Sequence, residues 1–429
     1  MLPLDYLHAL CLAGVALYIW RREPVRLLLT PLMLLSFLVL YGIGNIIYFL
    51  GADALPDARS AVTLSLILMW AGLITGIELS SRSMPALAAR SRQVISQWRG
   101  TPLSNPAHAD QLLATLGVLM ALFMLAVFFG FGKLGQLRNF LSLESGHEKL
   151  QYRMELAGQG GYLYQLLVAS AAPFVSFLLL TKAAASRRTY LRAAGLLLCA
   201  AVFAGKLGTF HKVPWLIYVL QLIIVVQLRK RLDIGVGRIV LFVLIVIAGA
   251  IGAAMIAIPE LDATSIFGWL TYRFFEVNNE VIYQTFYVYP RYLPHTWGMN
   301  IGLVHGVFGS GELRSAHTEV ASFFGAEGAT FDAFFVADAW VDFGYVGVVL
   351  TALLVGFVVK TMDIYITSFG KTALAVALLG SGMYGVFQLQ VTSAFTAFLT
   401  GGLLLIPLLV FAAQALINDL ARGRIQWQR

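Results

Sequence analysis

The chain has 429 residues, 59% of them hydrophobic and only 12% charged, with a formal net charge of +8 and a mean hydropathy of +0.79. A soluble globular chain carries about 25% charged residues, so half that share, set between long apolar runs, excludes a soluble enzyme and places the protein in lipid. The basic residues gather in short connectors, which is a signature of membrane orientation rather than of a nucleic-acid partner.

Lipid cannot satisfy exposed peptide groups, so uninterrupted apolar runs of sufficient length read as spanning helices. In chain order the runs are Leu4 to Trp20, Leu27 to Leu50, Ala61 to Leu79, Leu112 to Phe131 and Tyr162 to Thr181. Next come Tyr190 to Gly205, Val213 to Leu228 and Ile239 to Ile258, the first two of these being short. After a long gap follow Ala337 to Val359, Thr372 to Leu389 and Phe395 to Ile417. The expected fold is therefore all-α, a polytopic transmembrane bundle of about eleven helices forming one integral membrane domain over residues 1–429. The start, MLPLDYLHAL, has no basic stretch and no clear small-residue cleavage site after it, so it reads as a retained first helix and not as a removed signal peptide. Pro173 and Pro407 lie inside runs and predict kinks. Cys11 and Cys199 both sit in apolar runs, which predicts no structural disulfide.

The connectors orient the bundle. RREPVR from Arg21, the segments Arg82 to Arg99 and Lys182 to Arg192, RKRLDIGVGR from Arg229, Lys360 with Lys371, and the tail arginines hold 20 of the 30 basic residues. The intervening connectors hold the other ten over a much longer stretch, and the two sets alternate without exception. The positive-inside rule then puts the N-terminus outside and the C-terminus inside, in a bacterial cytoplasmic (inner) membrane. The segment MPALAARSRQVISQWRG places Leu87, Val94 and Trp98 roughly on one face and predicts a helix lying on the inner leaflet, with no chemistry attached.

Two loops fall on the outer side, residues 132–161 and residues 259–336, the second 78 residues long. A loop of that length in a compact domain is functional or disordered, and 17 aromatic residues in it argue for docking rather than disorder. These loops carry Arg153, Arg273, Arg291 and Arg314. A guanidinium fork matches phosphate oxygens in pairs and keeps its charge when partly buried, so arginines converging near the outer interface suit a lipid-linked pyrophosphate. Each of them taken alone equally fits a solvated or headgroup-facing charge. The stretch GSGELRSAHTEVASFFG joins Arg314, His317 and Glu319 within six residues. Histidine titrates nearest neutrality and suits proton abstraction from a hydroxyl, although a lone loop histidine is more often a plain hydrogen-bonding residue. His295, His305 and His317 lack zinc-site spacing, so no metal and no cofactor is expected. Downstream, Asp338 and Asp342 stand four apart and would share a helical face, as catalytic groups or as caps at the helix end. The sequence holds no phosphate-binding loop and no cytoplasmic connector long enough for a nucleotide-sugar domain, so any donor would have to arrive from the membrane.

Taken together, the large outer loop before the last helices, the early YGIGNIIYFLG stretch, HEKLQYRMELAGQGG, and the RSAHTEV to FDAFFVADAWVDFGYVG run resemble the Wzy-type O-antigen and polysaccharide repeat-unit polymerases. The family pattern of an arginine followed after ten residues by glycine is matched by Arg291 with Gly302 and by Arg314 with Gly325, whereas Arg153 is followed at that spacing by Tyr164. The resemblance implies a fold shared with O-antigen ligases and a glycosyltransferase acting on undecaprenyl-pyrophosphate-linked oligosaccharides at the periplasmic face. It implies Arg153, Arg273, Arg291 and Arg314 as pyrophosphate ligands and His317 as base; the residues themselves add Arg314, Glu319, Asp338 and Asp342 as further catalytic candidates, with the choice of assisting carboxylate open. Membrane lipids and a chain-length regulator protein are the partners it implies. An O-antigen ligase and a lipid-linked oligosaccharide flippase are the alternative functions; the flippase is disfavoured because ionisable residues are nearly absent from the middles of the runs.

Overall fold

A computed structural model describes residues 3–51, 55–104, 110–143, 148, 151–152, 155–156, 161–209, 212–233, 265, 268–269, 271–308, 315–326 and 334–414. Among them every regular element is helical. Among the described residues seven helices are long and apolar enough to cross a membrane: Leu29–Leu50 (α2), Pro56–Ser83 (α3), Asp110–Gly130 (α5), Leu163–Ser186 (α7), Thr189–Leu207 (α8), Phe335–Ser368 (α13) and Ala373–Val391 (α14). Between and around them lie Pro3–Arg22 (α1), Pro85–Gln97 (α4), Lys133–Ser142 (α6), Lys212–Leu228 (α9), Val277–Val288 (α10), Gly302–Phe308 (α11) and Ala316–Phe323 (α12). The protein is thus membrane-embedded, and all-helical among the described residues. The expected run Ile239 to Ile258 lies outside the described residues. The expected run Phe395 to Ile417 is broken: a short helix, Ala394–Phe398, is followed by a turn in which Gly402 takes φ +73, and helix resumes over Leu405–Gln414. Two glycines in a row at 401 and 402 make that left-handed turn cheap.

The chain divides into two compact units, the first comprising Met1–Pro85, Asp233–Thr361 and Phe387–Phe395. In this unit α1 carries its charges at its two ends, where Asp5 pairs with Arg59 and Glu23, just past the helix, pairs with Lys360. At 1.5 Å per residue the ends of α1 lie about 28 Å apart, close to the hydrocarbon thickness. Helix α2 widens into a π-turn over Leu38–Ile43. Such a turn pulls a carbonyl out of the regular ladder, and the buried Asn279 amide of α10 donates to Leu40 O at 3.0 Å. The core beside it is aromatic, with Tyr41 stacked on Phe334 at 3.7 Å between ring centroids and Phe37 edge-on to Phe334 at 5.0 Å. Helices α3 and α13 cross backbone to backbone at glycines. A Cβ on Gly76 would lie 2.1 Å from Leu353 O, and one on Gly356 would lie 2.3 Å from Leu73 O. Small residues at such a crossing let helices associate through dispersion where lipid supplies no hydrophobic drive.

The second unit comprises Ala86–Leu232, Met362–Val386 and Thr396–Arg429. Here α7 opens a π-turn over Leu167–Ala171 just before Pro173. Proline has no N–H to give and its ring clashes with the carbonyl four residues back, which accounts for the expected irregularity at this point. Helix α4 exists as expected but docks on protein. Ala88, Ser91 and Trp98 are buried, Ser91 Oγ shares a 2.7 Å hydrogen bond with Thr367 Oγ1, and the Trp98 indole donates to Leu228 O at 2.8 Å. Lys371 ties the same corner, its Nζ donating to Trp98 O and Thr101 O at 2.9 Å each and to Lys230 O at 3.4 Å. Burial holds the Lys371 ammonium below the ordinary lysine range. Both cysteines are free thiols.

Candidate functional site

The site grows out of a break in α13. Phe343 (φ −139, ψ 16) and Gly344 (φ 60, ψ −143) leave the helical region, so the helix runs to Asp342, stops and restarts. Only glycine tolerates the Gly344 conformation without strain. The break takes away the N–H groups that would have satisfied the carbonyls of Val341 and Asp342. A loop supplies them instead, with Thr296 N donating to Val341 O and Trp297 N donating to Asp342 O, each at 3.0 Å. The loop itself turns through left-handed Trp297 (φ 52) and Gly298 (φ 89).

That turn wraps the Asp342 carboxylate. Oδ1 accepts from Thr296 Oγ1 at 2.5 Å, from Gly298 N at 3.1 Å and from Asn300 N at 3.3 Å. The Gly298 and Asn300 N–H groups of one turn thus converge on the carboxylate and fasten the loop to the broken helix, while Met299 N, between them, donates to Thr296 O at 3.1 Å. One helical turn earlier, Asp338 Oδ1 accepts from Asn300 Nδ2 at 2.7 Å and meets His317 Nε2 at 3.0 Å. The Asn300 side-chain oxygen accepts from Ala316 N at 3.2 Å, at the start of α12, and so sets the height of the histidine that follows. His317, Asp338 and Asp342 are all buried. In the tautomer that carries its proton on Nε2, His317 donates to Asp338, and the Nδ1 of the same ring is a buried atom.

Asp338, Asp342 and Asn300 line one end of a cavity of about 210 Å³. The rest of its wall is largely apolar and includes Phe343, Leu350 and Phe395, which are 40%, 60% and 41% exposed. The cavity thus joins buried carboxylates to an exposed, apolar rim.

The expected residues fall into three groups. His317, Asp338 and Asp342 come together, and the two aspartates share a face as their spacing predicts. Glu319 takes another role: it accepts from the Tyr289 hydroxyl at 2.8 Å, and burial together with that carboxylate raises the Tyr289 pKa above the tyrosine range. The Trp340 indole donates to Tyr289 O at 2.9 Å and its ring stacks on Phe286, so Glu319 and Tyr289 brace α12 and α13. Arg291 pairs with Asp57 at 2.5 Å and lies over the Tyr287 ring at 5.3 Å. Arg273 lies over Trp269 at 5.5 Å. Neither arginine bonds to the His317–Asp338 cluster among the described residues. Arg153 and Arg314 lie outside the described residues. Sequence reasoning missed Asn300 and Thr296, and only the glycines of TWGMN and DFGYVG hint that backbone there turns sharply.

No family model matches the chain, and no curated protein or solved structure is significantly similar to it.

Proposed function

We propose that this chain is a membrane glycosyltransferase that polymerises undecaprenyl-pyrophosphate-linked oligosaccharide repeat units into O-antigen or a related surface polysaccharide. The observation that carries the reading is the buried His317–Asp338 pair, whose aspartate lines a cavity with an exposed, apolar rim. A lipid-borne donor needs that combination, because its reacting carbon is polar and its anchor stays among acyl chains. The resemblance of the sequence to Wzy-type polymerases supports the same reading, and so does the alternation of basic connectors. In this proposal eleven helices cross a bacterial inner membrane, with the N-terminus and the site facing the periplasm.

The reaction runs as a displacement at the anomeric carbon of the growing glycan. The acceptor hydroxyl oxygen on a second lipid-linked repeat bonds to that carbon, while the bond from the carbon to the pyrophosphate oxygen breaks. His317 Nδ1 takes the hydroxyl proton, Asp338 stabilises the imidazolium through Nε2–H, and undecaprenyl pyrophosphate leaves as an anion. Arg153, Arg273, Arg291 and Arg314 are the candidate ligands of that pyrophosphate, with no metal required. The Arg291–Asp57 pair is about half exposed on both sides, so solvent and ligand compete with it readily.

The test replaces His317 with Ala in a cell that makes the glycan. Long chains are expected to vanish while single repeats persist on the outer leaflet. Unchanged chains, or the loss of every glycan form, would count against a polymerase, and absence of single repeats from the outer face would point to a flippase.

A further inference from the structure

Three helix ends of the second unit surround a cleft of about 560 Å³, within the size range of small-ligand sites. Its apolar walls include Leu180 near the end of α7, Leu196 in α8 and Val226 near the end of α9. Its polar lining is three arginines. Arg187 caps α7 in the left-handed region at φ 57, Arg192 lies in the first turn of α8, and Arg229 directly follows α9.

These guanidiniums have no counter-charge among the described residues. Among the described residues none of the three enters an ion pair, and the acid engaged by the neighbouring Lys182 and Arg188 is Asp110, at 2.5 and 2.9 Å. Arg229 Nε is buried with no hydrogen-bond partner among the described residues. Burial also pulls the Arg229 pKa below its ordinary value. An unpaired, partly desolvated guanidinium is costly, and two more beside it repel it; a multi-oxygen anion offsets both costs with paired hydrogen bonds.

The apolar walls say what that anion is attached to. Leu196 and Val226 are 56% and 52% exposed, so the greasy wall runs out of the cleft onto the surface that meets acyl chains. Free phosphate would satisfy the arginines and leave those walls to water. An anionic phospholipid satisfies both, and basic pockets between membrane helices are a known form of such a site. We infer that this cleft binds an anionic phospholipid, with its phosphate on Arg187, Arg192 and Arg229 and an acyl chain along Leu180, Leu196 and Val226. The inference rests on the membrane character of the chain and does not depend on the proposed catalysis.

The experiment is native mass spectrometry of the full chain in neutral detergent, titrated with phosphatidylglycerol and separately with zwitterionic phosphatidylethanolamine. The wild-type chain should retain one phosphatidylglycerol preferentially. Replacing all three arginines with Ala should weaken that adduct on the order of a hundredfold, from about fivefold per basic residue, without changing phosphatidylethanolamine adducts. If the triple variant does not fold, Arg229→Ala alone should weaken it about fivefold on the same scale. As a charge control, Arg21→Ala/Arg22→Ala removes basic residues from another connector and should leave the adduct intact. An equal loss in that control would reduce the effect to general surface charge and overturn the site. Displacement of phosphatidylglycerol by millimolar inorganic phosphate would overturn it too, since the acyl wall would then contribute nothing.

Discussion

Replacing Gly76 with alanine tests the crossing that holds the site-bearing helix in place. The added Cβ would lie 2.1 Å from Leu353 O and 2.8 Å from Phe357 N. Ordinary contact begins near 3.4 Å, so α3 and α13 must part by about 1.3 Å (3.4 − 2.1) at that point. Both obstructing atoms are backbone and cannot rotate away. Overpacking of this kind costs roughly 1–3 kcal/mol, and the rigid partner puts Gly76→Ala at the upper end. The intrinsic helix preference of alanine returns at most about 1 kcal/mol. The expected net loss is therefore about 2 kcal/mol. Gly14→Ala in α1 is the matched control: nothing lies within 4 Å of its added Cβ, so it should be neutral or stabilising by up to about 1 kcal/mol. Reversible unfolding of the purified chain in mixed SDS micelles, followed by helical ellipticity, reads both. A Gly76→Ala protein as stable as wild type would refute the backbone-to-backbone crossing, and a Gly14→Ala protein equally destabilised would show that glycine loss in itself is harmful.

Asp338→Asn keeps the side chain's shape and removes the charge that stabilises an imidazolium at His317, so polymer formation should fall by roughly 10²–10⁴-fold with normal protein levels in the membrane; glycan ladders on gels report it, and an unchanged ladder would remove Asp338 from the mechanism. Lys371→Met should destabilise the second unit by about 2 kcal/mol, since charge-assisted hydrogen bonds are worth roughly 1.5–3 kcal/mol and three carbonyls lose their shared donor. Trp98 fluorescence should shift red and lose its protection from quenchers in that variant, and an unperturbed Trp98 would show that the lysine does not hold this corner.

The helices were legible because lipid imposes a single rule, and long apolar runs obey it wherever the backbone stays regular. Leu29–Leu50, Pro56–Ser83 and Asp110–Gly130 appear within a few residues of their expected bounds, apart from the polar turns that extend Pro56–Ser83 beyond its apolar stretch. What hydropathy does not encode is where a run breaks. The Leu38–Ile43 π-turn depends on Asn279, more than two hundred residues away, to take up its displaced carbonyl, and the turn after Phe398 depends on glycines that occur in many unbroken runs as well. The amphipathic Pro85–Gln97 segment was legible as a helix, and Leu87 on its expected face stays exposed, but the partners of Ser91 and Trp98, Thr367 and Leu228, are distant in sequence and invisible to hydrophobic spacing.

The candidate site was legible in its residue types and not in their roles. Asp338 and Asp342 are alike in residue type, share a helical face, and both read as possible catalytic groups. The break at Phe343 and Gly344 makes them different. Asp342, at the broken end, is taken up by three donors of one loop, an arrangement that fixes the loop's geometry. Asp338, one turn inside intact helix, meets only the Asn300 amide and His317 in the bonds that define the cluster, so its charge acts on the imidazole. Asn300 links the two, its backbone N–H on Asp342 and its side-chain amide on Asp338. The loop that Asp342 fastens is therefore the part that sets the distance between Asp338 and His317. Removing the Asp342 carboxylate should lower activity by loosening that distance, whereas removing the Asp338 carboxylate lowers it with the loop still in place.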